Sequence, residues 1–298
     1  MKVDPTQVIT LSEKNSRDVL KLIASSHESP MDINTVLPWR QGVDKGGLPK
    51  KPEQCWIFGT PYYEKLTDVQ RHELLWEETA RDVSMFIILE QTLPPLYLGY
   101  INQHRGKLSP EVYEYLMIFS KEEIVHTLAF QRYMRLAELR LFNPPDGLHE
   151  LLVQQLPTMH PVAGVLCTLI LEWVAESAAM YGTQSDEIEP LTREMFYQHH
   201  IDEARHIAFG RWVGEAYFDV AAEPQAQEMR KLLLSLFNRL IAQFTYNPEI
   251  AEHTSFPFPI QRADQAAIDI VRTSQSNVAL NQKRFAPLYS WLRKIQVI

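Results

Sequence analysis

Cysteine and glycine are the scarce residues of this 298-residue chain, with two of one and eleven of the other. Two cysteines, Cys55 and Cys167, make no disulfide framework and fit a reducing cytosol. Eleven glycines are few for a protein built on tight β-turns, and the prolines cluster between helical stretches, which points to an α-rich fold. Basic charge is also short. A net charge of −8 gives no reason to expect a nucleic-acid partner. The opening residues, Met1 to Ser16, lack the apolar stretch of a secretory leader. The least polar run, Val162 to Leu171, is too short to span a bilayer and ends at Glu172, so it reads as a buried core helix. These absences set aside disulfide scaffolds, nucleic-acid binders and membrane-spanning proteins, and leave a cytoplasmic protein as the expectation. What remains is ordinary globular material, 45% hydrophobic and 22% charged, enough for a large helical domain.

Periodicity predicts helices over residues 12–27, 66–103, 109–142, 161–182, 190–219 and 224–245, with two shorter ones near 261–274 and 279–295. Ser109 is a good N-cap with Pro110 behind it, and Asn143-Pro144-Pro145 is a stop. Pro94-Pro95 interrupts the 66–103 helix. Residues 28–64, with Trp39 and Trp56 but no clean period, read as an ordered covering segment. No linker divides the chain, so the expectation is one domain over 1–298 with its core helices at about 66–220.

One pattern occurs twice. Glu122-Glu123-Ile124-Val125-His126 and Asp202-Glu203-Ala204-Arg205-His206 each place a histidine three residues after the second of two acids. Residues three apart share a helix face, so each segment aims one carboxylate and one imidazole the same way. Each copy has a further acid at a similar distance upstream, Glu90 for Glu123 and Glu172 for Glu203. Two such faces on opposed helices, each with one more carboxylate from a neighbour, can hold a pair of metal ions.

Helical phase supports inward-pointing ligands. Glu123 and His126 lie nearly opposite Lys121 and the charged side of their helix. Glu122 falls at the boundary, as a rim residue or an outer partner of the ligands. His199, Glu203 and His206 form one stripe, which predicts that His199 reaches the same metal ion as Glu203 and His206. Glu172 is the only charge between Val162 and Ala175, and a lone buried carboxylate is expensive unless paired, protonated or metal-bound. Glu176 shares its face as a reserve ligand. Glu90 lies on an apolar face with Trp76, Val83 and Phe86, whereas Glu73 and Glu77 share a face with Gln70, Ala80, Arg81 and Ser84 that reads as solvated. His200 lies off the stripe and reads as a local packing residue, and Arg205 as one member of a structural ion pair. Asp202 and Glu122 are expected to accept hydrogen bonds from the outer nitrogens of histidines on the opposing helix.

A single acid-x-x-histidine is weak, because surface pairs of that kind are usually solvated neighbours. Two inward copies, each with a buried acid upstream, favour metal. Carboxylate and imidazole donors without thiolate suit iron, or manganese, rather than structural zinc.

Glu90 … Glu123-x-x-His126 … Glu172 … Glu203-x-x-His206 resembles the ferritin-like diiron carboxylate superfamily. The additional His199, four residues before Glu203 where the first copy has Phe119, and the interval between Glu172 and His199 are similar to the p-aminobenzoate N-oxygenase (AurF-like) family. The resemblance implies an all-α, ferritin-like four-helix bundle with additional N- and C-terminal helices. It further implies two iron ions as cofactor, O₂ as co-substrate, and oxidation of an aromatic amine through a hydroxylamine toward a nitro group. The metal ligands would be Glu90, Glu123, His126, Glu172, His199, Glu203 and His206, with Asp202, Glu122 and Glu176 around them. Electrons would come from an external donor such as ferredoxin or a flavin reductase, since the chain carries no flavin, haem or iron–sulfur motif. A homodimer is compatible with this reading. The alternatives are a diiron hydroxylase, desaturase or C–C cleaving oxygenase, a ferroxidase or iron-storage protein, and an inert helical interaction protein. Arg262, Arg272 and Arg284 are conceivable anchors for a substrate carboxylate, each with surface exposure as its expected state.

Overall fold

The computed structural model describes residues 7–145 and 147–298. Part of the segment read as lacking a leader, residues 1–6, lies outside them. Ten helices of eight residues or more follow along the described chain: α1 Glu13–Glu28, α2 Asp68–Glu90, α3 Leu93–Gln103, α4 Pro110–Leu136, α5 Pro161–Thr183, α6 Pro190–Val220, α7 Glu223–Thr245, α8 Gln265–Arg272, α9 Gln275–Arg284 and α10 Ala286–Lys294. Among the described residues the only β-pairing is an isolated bridge between Leu48 and Ile188.

The helix starts are fixed by local chemistry. Thr67 and Gln70 cap α2 reciprocally, each side chain accepting from the other's backbone N–H. Ser109 accepts from Val112 N at the start of α4, with Pro110 in its first turn. α5 and α6 also open on a proline at the first helical position, where the missing N–H costs nothing.

α2 packs beside α4, α5 packs along α6, and the two hairpins face each other through α2–α5 and α4–α6 contacts. That is a four-helix core, the architecture that the resemblance implies. α1 lies across α4 and α6, α3 beside α4, and α7 against α5. α5 is long and apolar enough to cross a membrane by length and composition, but almost all of it is buried inside the bundle. Trp39 and Trp56 of the covering segment are buried, as that segment was expected to be ordered.

The interruption expected in the 66–103 helix is a full break into two helices, because Pro94 and Pro95 cannot continue α2 but fit the first turn of α3. Three expectations change. α4 ends at Leu136 rather than 142, with Glu138 in the left-handed region (φ 51°) closing it. The C-terminal pair is three short helices. Finally, Ala80, Arg81 and Ser84 are buried rather than solvated: Trp56 of the covering segment and Phe244 of α7 flank the Arg81 guanidinium, and Ser84 accepts from Phe142 N beyond α4.

Candidate metal centre

The break after Glu90 leaves that carboxylate at the last turn of α2, level with Glu123 and His126 on α4, Glu172 on α5, and His199, Glu203 and His206 on α6. None of the seven is more than 5% exposed. Their donor atoms fall into two groups. One ligand atom each of Glu90, His126, His199 and Glu203 lie within 4.8 Å of one another, and so do those of Glu123, Glu203 and His206. His199 Nε2 stands 2.8 Å from Glu90 Oε1 and 3.4 Å from Glu203 Oε1. His126 Nδ1 is 3.5 Å from Glu203 Oε1, and His206 Nδ1 is 3.0 Å from Glu123 Oε1 and 3.2 Å from Glu203 Oε1. Glu203 is common to both groups. Glu172 is buried beside them but belongs to neither.

This grouping corrects the expectation that His199 shares a metal ion with Glu203 and His206. His199 and His206 are two helical turns apart, about 10 Å along the axis, so they face opposite ends of the site. Only Glu203, midway, reaches both. His199 therefore joins Glu90 and His126.

The outer nitrogens of the two motif histidines are held across the bundle. His126 Nε2 is 2.9 Å from Asp202 Oδ2, and His206 Nε2 is 2.9 Å from Glu122 Oε2. Arg205 donates to both acids and locks the pair of contacts together. Glu122 is thus a buried partner, not a rim residue: α6 covers the side that α4 alone leaves open. Glu176 is not grouped with the inward donors. It lies 3.2 Å from His199 Nδ1 and accepts from His200 Nδ1, giving His200 a defined contact. An acid fixing the outer nitrogen of a ligating histidine typically contributes tenfold or more in metal affinity. Asp202→Asn should therefore weaken metal binding about tenfold. Equilibrium dialysis that finds unchanged affinity in this variant would remove the orienting role.

Several inward atoms fit a metal pair because they lack partners of their own. Both oxygens of Glu123, Oε2 of Glu90, Oε1 of Glu172 and Nδ1 of His126 make no hydrogen bond. Without metal, protons must relieve the crowded acids. Burial pushes Glu90 up to about 7. Burial, with the charges of Glu203 and Glu123, raises Glu172 well above the carboxylate range. Burial opposes the charge of Glu203 too, but His206 and His199 outweigh it and hold Glu203 at about 2. Burial likewise opposes a charge on His199 and His206, yet Glu203 keeps both protonated well beyond the imidazole range.

The consequence for pH has a definite sign. The folded metal-free chain binds protons on Glu90, His199 and His206 that the unfolded chain has already lost, so its stability should fall as pH rises from about 5 to 8. Metal must displace the same protons, so its affinity should rise over that range. Thermal melts of metal-free and metal-loaded protein should therefore diverge with pH. Parallel curves would contradict the shared site.

Some charged residues near the site gave no signal in sequence. Lys50 Nζ is 2.8 Å from Glu78 Oε2 and 3.5 Å from Asp82 Oδ2, and all three are buried. Arg284, expected at the surface, is buried there as well. It lines a cavity of about 10 Å³ with Lys50, Asp82 and Phe196, one turn before His199 and His200. Arg262 pairs with Glu252, and Arg272 donates to Tyr246 O. The C-terminal helices bring Arg284 inward, an effect of tertiary packing with no local pattern.

A family description, "P-aminobenzoate N-oxygenase AurF", matches residues 13–295. Among solved structures, a mutant of an R2-like ligand-binding oxidase with an anaerobically reconstituted Mn/Fe cofactor aligns with a TM-score of 0.48 and 14% identity over 89% of this chain and 91% of that one. No curated protein matches in sequence.

Proposed function

The chain belongs to the p-aminobenzoate N-oxygenase AurF family, and on that premise we propose that it N-oxygenates an aromatic amine, through the hydroxylamine toward the nitro compound. It is an O₂-dependent diiron oxidoreductase with a buried carboxylate and histidine cluster suited to a dinuclear site. The observation that carries the finer reading is His199. It adds a third imidazole to the donors, so one group has two histidines and the other has one.

Two ferrous ions, if held among these residues, would supply electrons and a place for O₂ to react. The side chains hold and shield that place. Glu90, His126, His199 and Glu203 would hold one ion, and Glu123, Glu203 and His206 the other, with Glu172 as the remaining carboxylate. Asp202 and Glu122 fix the rings of His126 and His206 by accepting from their outer nitrogens. Phe86 and Phe130 pack against His199, their ring centres 4.8 and 5.0 Å from its own, and Phe196 packs on both phenylalanines. That apolar wall excludes water from one end of the site and offers an aromatic substrate compatible surfaces. Reducing equivalents would come from an external protein such as a ferredoxin or flavin reductase.

The test is a single turnover. Iron-loaded, chemically reduced protein is mixed with ¹⁸O₂ and a panel of aromatic amines that includes p-aminobenzoate. Label on the nitrogen of a hydroxylamine or nitro product is the expected result. Oxidation of the iron with every amine recovered unchanged would overturn N-oxygenation and leave an oxygenase of another substrate class.

A further inference from the structure

Glu172 is the one expected ligand outside both donor groups, and its Oε1 is buried without a hydrogen-bond partner. Two hydroxyls close to it are in the same condition. Thr168 stands four residues earlier on α5, on the same helix face, and its buried Oγ1 has no partner. Thr79, Ser84 and Ser120 of the core helices each donate instead to the carbonyl four residues back, whereas Tyr115 and Thr127 of α4 also lack partners. Tyr97 of α3 is fully buried, and its Oη also has no partner. Its ring packs 4.8 Å from Phe119, which stacks 3.6 Å over His206. After burial itself, the charge of Glu172 is the largest influence raising the Tyr97 phenol. The Thr168 hydroxyl is near enough to lower it in turn, although the two do not meet in hydrogen-bonding geometry.

A buried hydroxyl without a partner is costly, and native interiors hold few of them. Here two such hydroxyls and a partnerless carboxylate oxygen come together at the edge of the metal centre. We propose that Tyr97 and Thr168 are positioning residues for Glu172, their hydroxyls donating to one carboxylate oxygen and so presenting the other to the metal held by Glu123, Glu203 and His206. The inference rests on the dinuclear reading. It explains why the group with only three clustered donors has a seventh ligand within reach, and it gives Tyr97 and Thr168 a role that packing does not require. Neither residue touches the metal in this proposal; both act through Glu172.

Tyr97→Phe and Thr168→Val test it, because each removes a hydroxyl and keeps the shape of the side chain. Two quantities are read for each variant and for the wild type: the melting temperature of the metal-free protein, and stepwise binding of Co²⁺ or Fe²⁺ by anaerobic titration. In the metal-free protein the lost hydroxyl has no partner, so the melting temperature should stay level or rise. In the metal titration of Tyr97→Phe, one step should weaken about tenfold or more while the other is unchanged. Thr168→Val should weaken the same step, and it carries the test alone if Tyr97→Phe does not fold. Wild-type affinity at both steps overturns the proposal. So does a lower metal-free melting temperature with both steps weakened together, which is what a purely structural role produces. Fewer than two ions bound by the wild type would instead overturn the dinuclear centre itself.

Discussion

Glu203→Ala is expected to take the protein from two bound metal ions per chain to fewer than one. Glu203 is the only residue whose carboxylate lies in both donor groups, 3.4 Å from His199 Nε2 and 3.2 Å from His206 Nδ1. Its loss removes a donor from each ion at once. It also removes the charge that most strongly holds protons on His199 and His206, which makes both imidazoles easier to neutralise but does not replace the donor lost from each ion. Glu90→Ala and Glu123→Ala each disturb one group only, and each should leave roughly one ion per chain. Elemental analysis of the three variants, with circular dichroism to verify that they are folded, separates a shared ligand from a terminal one. Two ions retained in Glu203→Ala would refute the shared position.

His199→Leu should keep the fold and most of its iron, yet lose amine oxidation by about a hundredfold, the upper end of what partners around metal sites contribute. Leucine suits the apolar enclosure, since the imidazole already packs against Phe86 and Phe130. The remaining six ligands still supply donors to both ions. Glu90 and Glu176 would lose the imidazole between them, 2.8 Å from Glu90 and 3.2 Å from Glu176, so some stability is lost as well. Turnover per folded, iron-loaded molecule is therefore the quantity to compare. Wild-type turnover on that basis would reduce His199 to a core histidine and remove the main reason for preferring N-oxygenation.

Most of the centre was legible because its signals are local. Glu123 with His126, and Glu203 with His206, share a face by spacing alone, and Glu172 stands out as the single charge between Val162 and Ala175. The contacts of Asp202 and Glu122 with the opposing histidines also followed, once two antiparallel helices had been set face to face. The errors have one physical source. Phase on an isolated helix shows which residues share a face, but not how many neighbours cover the other faces. Arg81 and Ser84 read as solvated until Trp56, Phe244 of α7 and the segment after α4 closed over that side of α2. Glu122 read as either a rim residue or an outer partner of the ligands, and only the packing of α6, with His206 and Arg205 against it, decides for the second. His199 and His206 share a stripe yet lie too far apart along it for one metal ion, a distance that angular phase ignores. Tyr97, Thr168 and the buried Lys50–Glu78–Asp82 group had no signal at all, because their meaning lies in which hydrogen bonds are missing or in contacts distant in sequence.

The most direct measurement is anaerobic titration of the metal-free wild-type protein with ⁵⁷Fe²⁺, followed by Mössbauer spectroscopy. Uptake should stop at two irons per chain. The spectrum should show two unequal sites in equal amounts, since one donor group contains His126 and His199 and the other His206 alone. Saturation at one iron, or no specific uptake, would contradict the dinuclear centre on which the proposed chemistry depends.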